Sequence, residues 1–291
     1  MDGGATETAL QGPLEALAAR LSASADTRLA HALLAVVGQL HRLVTDLKPS
    51  ADELRHVIEF LTEVGHSADA RRQEWVLLAD VIGISTLVED INSPRPDGAT
   101  PNTLPGPFYR SDVPDLPNGA NLSRDGKGQS LSVSGFITDL QGQPVPQAWV
   151  EVWHANAEGL YENQEPDLQP EFNLRGRLRA DDQGRFHFMT VKPKGYHLPE
   201  DGPVGRLLNN LGLSLHRPAH LHFRVTAPGC QTLTTHVFDR ADPAIHCDAL
   251  FGVKPALLAD FRPSGPSGGP DYRLDVTFVL APQVAVAGSS Y

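Results

Sequence analysis

The stretch Leu131-Ser132-Val133-Ser134-Gly135-Phe136-Ile137 largely alternates apolar with small or polar residues, and Asp139 to Gly142 then supplies a turn. Because successive side chains of a strand point to opposite faces, this alternation predicts a half-buried β-strand. Further strands are predicted at stretches of the same kind, residues 149–153, 220–225, 233–238 and 273–280, and a hairpin at 179–189. Short strands separated by turn signals at this spacing predict an all-β sandwich.

The chain before the predicted sandwich has a helical pattern. Residues from about 13 to 92 contain few glycines and prolines, and apolar side chains recur there at helical spacing. Lys48-Pro49-Ser50 interrupts the pattern, and Ser50 with Glu53 three positions later predicts a capping box that begins a new helix. A third helix is predicted from about Arg71 to Ile91. Because it is apolar almost all round, we expect it to be buried in a core or an interface.

Proline and glycine are dense from Pro94 to Pro117, which predicts a linker or a loop that lines a site. We therefore predict a mixed α and β fold. A helical N-terminal domain with its linker would occupy residues 1–100, and a β-sandwich domain would occupy residues 101–291.

The composition restricts the function classes. The chain has 291 residues, 41% of them apolar, and a formal net charge of -11. An acidic chain is a poor candidate for binding nucleic acid, which requires clustered Lys and Arg. Two cysteines, Cys230 and Cys247, are too few for a disulfide scaffold. Since no secretory signal and no membrane-spanning apolar run are visible, we expect a cytoplasmic protein.

The motif His220-Leu221-His222 is the sharpest local feature. Residues i and i+2 of a strand share a face, so two imidazoles could reach one metal ion. A pair of surface histidines is the alternative interpretation. Tyr161 and Tyr196 lie in predicted loops, where a tyrosine commonly fills a core or turn position. The residues alone do not connect these tyrosines to the histidines.

Longer motifs occur in order along the chain. These are Pro146 to Ala155, Tyr161, Arg175-Gly176, Gly184 to Phe186, Tyr196 to Pro203, and Arg217 to Phe223. On them, the region from about Glu74 to Phe251 resembles the intradiol ring-cleaving dioxygenases, which include catechol, chlorocatechol and hydroxyquinol 1,2-dioxygenases. The helical N-terminal region resembles the dimerising domain of the catechol-type branch. The resemblance implies a catalytic, iron-binding β-sandwich in a homodimer, whose interface can also hold a lipid tail.

The resemblance further implies an Fe(III) ion held by Tyr161, Tyr196, His220 and His222. A tyrosine has an ordinary pKa near 10, so a ligating phenolate needs a strong Lewis acid to keep it deprotonated. In this family Tyr196 would also help to deprotonate the substrate. Arg217 would stabilise negative charge that develops during the reaction.

The implied substrates are O2 and a small aromatic diol or triol. His236 stands where catechol-cleaving relatives commonly have Gln, and Asp80 lies in an apolar stretch. Both favour hydroxyquinol, which would give 3-hydroxy-cis,cis-muconate and then its tautomer maleylacetate. Catechol or chlorocatechol is the alternative substrate. The residues expected to contact the substrate are Leu77, Asp80, Gly106, Leu198, Pro199, His236 and Leu250.

Two other function classes are compatible with parts of the sequence. One is a non-catalytic β-sandwich binding module, which the complete set of four ligands argues against. The other is a zinc hydrolase that uses His220 and His222, which lacks an obvious carboxylate ligand or activating base.

Overall fold

The computed structural model of the protein describes residues 4–69, 72–265 and 269–283. Its contacts divide the chain into two units, residues 1–63 and 64–291. The first unit contains α1 (Gly4–Leu21), α2 (Thr27–Leu47) and most of α3 (Ala51–Ser67). The domain boundary expected near residue 100 stays a prediction. In the described parts of the chain, no helix is both long and apolar enough to cross a membrane.

The helices α2 and α3 begin at residues whose side chains cap them. The Asp26 side chain accepts a hydrogen bond from the Leu29 amide at 2.8 Å at the start of α2. At the start of α3, Ser50 N donates to Glu53 Oε2 at 2.7 Å and Glu53 N donates to Ser50 Oγ at 3.2 Å. This reciprocal pair confirms the predicted capping box, because it satisfies two amides that lack partners within the helix.

The third predicted helix is wrong as a single element. The structure has α4 (Glu74–Val81) and α5 (Ile84–Asn92) instead, and Arg71 lies outside the described residues. Gly83 separates the two helices with a φ of 76°, a left-handed conformation that glycine adopts without strain. Much of this segment is not buried in the core of the single chain, where many of its apolar side chains are exposed, namely Trp75, Val76, Ile82, Ile84, Leu87, Val88 and Ile91. The alternative expectation, burial in an interface, stays a prediction.

Two sheets form the β-sandwich, in agreement with the predicted fold class. The six-stranded sheet has the spatial order β1 (Asp115–Leu116), β4 (Arg175–Arg179), β3 (Trp149–His154), β8 (His220–Thr226), β9 (Leu233–Asp239) and β10 (Leu258–Ala259). The four-stranded sheet has the order β11 (Arg262–Pro263), β12 (Tyr272–Leu280), β2 (Ser130–Asp139) and β5 (Arg185–Val191). The remaining elements are β6 (Tyr196–His197) paired with β7 (His216–Arg217), α6 (Pro203–Asn210), and 3₁₀ helices at Pro243–Cys247 and Pro255–Leu257.

The hairpin predicted at residues 179–189 is wrong, although its turn is present. The Asp181 carboxylate accepts from the amides of Gln183 and Arg185, each at 2.8 Å. However, β4 pairs within the six-stranded sheet and β5 pairs with β2 in the other sheet. The turn therefore carries the chain across the sandwich. Turn chemistry specifies the reversal of the chain, whereas the core on both sides decides which strands pair.

The core lies between the two sheets and contains a glycine at a close approach. Leu131, Val133 and Ile137 of β2 are fully buried, and Gly135 lies between them on the same face. Gly135 is the register partner of Phe186 in β5. A Cβ atom at Gly135 would lie 1.9 Å from Cζ of Phe186, so the aromatic ring occupies the space above the glycine.

We predict that Gly135→Ala lowers the free energy of unfolding by about 2 kcal/mol, since an added methyl group overpacks a filled core. Equilibrium denaturation by urea measures the change. Gly265→Ala is the control, because a Cβ there meets no atom within 4 Å. If the ring contact is the cause, Phe186→Leu costs less stability in the Gly135→Ala background than in the wild type. Equal costs in the two backgrounds would contradict this explanation.

Candidate metal centre and substrate cavity

Alternate residues of strand β8 face the core and the candidate site. Leu221 and Phe223 belong to the sandwich core, while His220 and His222 point to the opposite side of the sheet. Both histidines are 2% exposed, so they are buried and not a surface pair. Trp153 of β3 is the register neighbour of His222 and stacks on its ring with a centroid distance of 4.7 Å.

Three donor atoms converge beside β8. His220 Nε2 lies 3.2 Å from His222 Nε2, which lies 3.1 Å from the Tyr161 hydroxyl. His220 Nδ1 contacts the Pro218 carbonyl oxygen at 2.7 Å. Because a carbonyl oxygen only accepts hydrogen bonds, Nδ1 carries the proton and Nε2 of the neutral ring offers its lone pair to the site.

The two predicted tyrosines come from separate parts of the chain, and the loop predicted for Tyr196 is wrong because this residue lies in a short strand. Tyr161 follows β3, is 1% exposed and stacks on Phe108 with a centroid distance of 4.3 Å. Tyr196 lies in β6, with its ring 6.0 Å from that of Tyr161 and 5.7 Å from that of His220. The structure thus brings together the four side chains predicted as ligands, and their role as ligands stays a prediction.

Burial governs the charges of these side chains. It lowers the pKa of His220, His222 and His236 well below the usual histidine value, so the three imidazoles are neutral near pH 7. It raises the pKa of the Tyr161 phenol well above 10, with further contributions from Tyr196. Without a compensating cation, Tyr161 therefore holds its proton.

The donor set fits a metal cation. Within the described residues, His222 Nδ1 and both ring nitrogens of His236 are buried and have no hydrogen-bond partner. One ring nitrogen from each of His220, His222 and His236 lies within 4.8 Å of the other two. Neutral imidazoles beside buried phenols would suit a hard cation such as ferric iron, since anionic oxygen and imidazole ligands favour it over soft metals.

A buried ion pair supports Tyr161 and was missed from the sequence. Arg175 is fully buried, and its Nε lies 2.6 Å from Oε2 of Glu162. Its guanidinium carbon lies 5.7 Å from the centre of the Tyr161 ring. Its Nη1 donates a hydrogen bond to the Phe108 carbonyl oxygen. Glu162 follows Tyr161 directly in the chain, but no sequence pattern connects it to Arg175.

Arg217, predicted to stabilise charge, is buried beside Tyr196. Its Nη1 lies 3.5 Å from the Tyr196 hydroxyl oxygen, and its Nε lies 3.2 Å from Oδ1 of Asp248. Burial acts to lower the pKa of the Arg217 guanidinium, but Tyr196 and Asp248 together raise it above its ordinary value. A permanent positive charge thus lies at the candidate site. Asp248 was not predicted as a site residue.

A cavity opens next to these groups. It is lined by Asp80, Thr86, Glu89, Asp90, Asn102, Thr103, Leu104, Gly106, Arg217, His236, Leu250, Gly252 and Lys254. Four of the residues expected to contact the substrate line it, namely Asp80, Gly106, His236 and Leu250. Leu77, Leu198 and Pro199 are not among the lining residues, and their contact with substrate stays a prediction.

Two polar groups of the cavity, Asp80 and His236, have different surroundings. Burial raises the pKa of Asp80, while a hydrogen bond from Ser85 and the charge of Arg217 act against that rise. The His236 ring lies 4.1 Å from that of His222, between centroids, and 4.9 Å from that of His220. The cavity therefore joins the donor cluster to hydrogen-bonding groups on the helix α4 and the strand β9.

Comparisons with known proteins agree with this geometry. The family model described as catechol dioxygenase N terminus matches residues 26–100, and the model described as dioxygenase matches residues 105–282. A hydroxyquinol 1,2-dioxygenase of Rhizobium sp. (strain MTP-10005) is 47% identical over 248 residues, which cover 85% of this chain and 84% of that protein.

Solved structures extend the likeness to the fold. Hydroxyquinol 1,2-dioxygenase from Pseudomonas putida DLL-E4 aligns with a TM-score of 0.89 at 36% identity, covering 95% of this chain and 100% of that one. Wild-type catechol 1,2-dioxygenase from Acinetobacter radioresistens aligns with a TM-score of 0.79 at 28% identity, covering 96% and 95%. With matching family models over both parts of the sequence and a close relative over most of its length, the chain belongs to the intradiol ring-cleavage dioxygenases.

Proposed function

We propose that this dioxygenase cleaves hydroxyquinol between its two vicinal hydroxyl-bearing carbons, using a ferric ion held by Tyr161, Tyr196, His220 and His222. The observation that supports it most is the convergence of His220 Nε2, His222 Nε2 and the Tyr161 hydroxyl beside a cavity. Both atoms of O2 are incorporated into the product, 3-hydroxy-cis,cis-muconate, which tautomerises to maleylacetate.

When bound, ferric iron supplies a Lewis acid that keeps phenolate ligands deprotonated and activates the aromatic diol towards dioxygen. The protein's own residues hold these ligands in place. The Pro218 carbonyl oxygen fixes the tautomer of His220, and Trp153 orients the ring of His222 by stacking on it. Arg175 and Glu162 hold the loop of Tyr161 in a dry environment.

Tyr196 and Arg217 handle protons and charge. Tyr196 is less buried than Tyr161 and lies on the short strand β6. In the phenolate form that the cation would maintain, its oxygen would accept a proton from a substrate hydroxyl. The neighbouring Arg217 guanidinium stabilises negative charge on the phenol oxygen and on the reacting ring. A fixed cation is most effective in a dry site, and Arg217 is 3% exposed.

Asp80 and His236 favour a triol over a diol. Both line the cavity, and the two ring nitrogens of His236 have no partner among the described residues. A third hydroxyl group on the substrate would give His236 a hydrogen-bond partner and would add a donor for Asp80, which already accepts from Ser85. Catechol would leave the His236 nitrogens unpaired. The relatives named hydroxyquinol 1,2-dioxygenase agree with this choice. Catechol or chlorocatechol remains the alternative substrate.

We predict that His222→Ala abolishes iron retention and the visible charge-transfer colour that tyrosinate ligands give to ferric iron, because it removes one of four protein ligands. Metal analysis and visible absorption of the purified variant measure both. His236→Ala is the matched control, since this neighbouring histidine is assigned to the substrate and should leave iron bound. Zinc retained by the wild type and lost equally from both variants would instead support a three-histidine zinc site.

We predict that Asp80→Ala lowers kcat/KM for hydroxyquinol roughly 10-fold or more relative to catechol, since a lost hydrogen bond to a charged group costs about 1.5–3 kcal/mol. Steady-state kinetics with both substrates on one preparation gives the ratio. Glu89→Gln, which alters another carboxylate of the cavity, should leave that ratio unchanged. A wild type that prefers catechol, or an unchanged ratio in Asp80→Ala, would contradict the proposed substrate.

We also propose that two copies of the chain associate through an apolar face on α2 and α3. The face consists of exposed side chains at helical spacing, namely Leu29, Leu33, Val36, Leu40, Leu43, Val44 and Leu47 of α2 and Leu54, Val57, Ile58 and Leu61 of α3. Exposed apolar side chains grouped in this way usually mark an interaction surface. A second copy would cover it in a symmetric homodimer. The lipid at this interface and the cytoplasmic location stay predictions.

We predict that sedimentation shows a dimer at micromolar concentration and that Leu40→Glu combined with Ile58→Glu converts it to a monomer, since an acid in an apolar interface loses its hydration. His31→Glu on the opposite side of α2 controls for the added charge and should leave the dimer intact. A monomeric wild type, or a dimeric double variant, would contradict the proposed interface.

A further inference from the structure

We propose that Asp248 is a positioning residue, whose single carboxylate holds the Arg217 guanidinium against Tyr196 and at the same time fixes the wall of the substrate cavity. The inference rests on the role proposed above for Arg217. It adds a specific cause for the orientation of that side chain.

The carboxylate of Asp248 is fully engaged. Oδ1 lies 3.2 Å from Nε of Arg217 and accepts from the Leu250 amide at 3.4 Å. Oδ2 accepts from the Gly252 amide at 2.9 Å. The side chains of Asp248 and Arg217 are 2% and 4% exposed, so water does not compete for these bonds. A buried guanidinium without such a partner would be strongly destabilising, because its charge would be uncompensated.

The segment that carries Asp248 also forms part of the cavity. Leu250 and Gly252 line it, and both donate their amides to the Asp248 carboxylate. Ala249 N donates to the carbonyl oxygen of His216, the residue before Arg217, at 3.1 Å. Thr86 of α5 donates its hydroxyl to the Leu250 carbonyl oxygen at 3.1 Å. One short segment therefore connects the cavity wall, helix α5 and the strand of Arg217.

The close approach of this segment to Arg217 leaves little room for a side chain at Gly252. A Cβ atom at Gly252 would lie 3.2 Å from Nη2 of Arg217 and 3.1 Å from Oδ2 of Asp248. Phe251, the preceding residue, has a φ of 55°, a left-handed backbone conformation that residues other than glycine adopt at a cost in free energy. The backbone is thus strained at Phe251 and crowded at Gly252, where it contacts the ion pair of Asp248 and Arg217.

The guanidinium can act on Tyr196 only while it is held in this direction. Nε of Arg217 is bonded to Asp248, which leaves Nη1 facing the Tyr196 hydroxyl at 3.5 Å. Replacing the carboxylate with an amide removes the charge and sets an NH2 group against either the Gly252 amide or Nε of Arg217. Arg217 then loses the partner that fixes its orientation, and a misplaced group of this kind costs roughly 10²-fold in rate.

The test uses the iron-loaded enzyme with hydroxyquinol. We expect Asp248→Asn to lower kcat by roughly 10²-fold with a much smaller change in KM. Iron content and the charge-transfer band of the resting enzyme should be unchanged, since no ligand is altered. Arg217→Ala should lower kcat at least as much. The variant with both substitutions should be no slower than Arg217→Ala alone, because residues that act as a unit are not additive.

A matched control is Asp239→Asn. Asp239 is also a buried acid, with Oδ2 2.8 Å from Lys192 Nζ and Oδ1 accepting from the Ala241 amide, but it does not contact Arg217. It should keep wild-type kcat. If Asp248→Asn does not fold, Gly252→Ala provides the second test, since its methyl group would press on Arg217 while the carboxylate remains. It should also lower kcat with iron retained.

The outcomes separate the two proposals. Wild-type kcat in Asp248→Asn or Gly252→Ala, with a slow Arg217→Ala, would overturn the positioning role alone. Additive losses in the variant with both substitutions, or loss of iron in Asp248→Asn, would show that Asp248 acts on the fold and not through Arg217. Wild-type kcat in Arg217→Ala would overturn the role of Arg217 itself, and the inference with it.

Discussion

The site depends on the alternation of side chains along β8. The same short strand gives Leu221 and Phe223 to the core and His220 and His222 to the opposite side of the sheet. A shift of the pairing register by one residue would exchange the two sets. That register is held from both sides, because His222 lies between Trp153 of β3 and His236 of β9. The packing of the sandwich and the placement of the imidazoles are therefore one constraint.

Around this strand, each buried cation lies beside a carboxylate. Arg175 is paired with Glu162 next to Tyr161, and Arg217 is paired with Asp248 next to Tyr196. Removing such charges from water is costly, so neither pair is explained as a simple source of stability. The two pairs share an orienting role. In each, the carboxylate binds the guanidinium and so fixes its direction towards the neighbouring tyrosine. The two phenols thus have different surroundings, one stacked and enclosed, the other on a short strand beside the cavity.

The sequence allowed much of the sandwich to be predicted, because alternating patterns at residues 131–137 and 220–225 report directly on burial. The His220 and His222 pair followed from the same periodicity. Tyr161 lies in a loop and Tyr196 in a strand of two residues, both too short of periodic sequence to predict their placement, so only the family resemblance connected them to the pair. Longer-range choices escaped local patterns. The turn at Asp181 leads to a different sheet. Gly83 separates two helices where the apolar pattern predicted one. Asp248 contacts Arg217, which lies 31 positions earlier in the chain.

The pairing of β2 with β12 has a consequence for how the protein is made. These two strands run parallel over their whole length, and Ser130 and Asp271, 141 residues apart, are hydrogen-bonded where the pair begins. The middle of the four-stranded sheet therefore stays open on a nascent chain until residues 272–280 leave the ribosome. Parallel pairing across such a separation is slow, and the unpaired edge of β2 is exposed to aggregation meanwhile. Chaperone demand during synthesis should thus depend on how long after β2 the strand β12 is made.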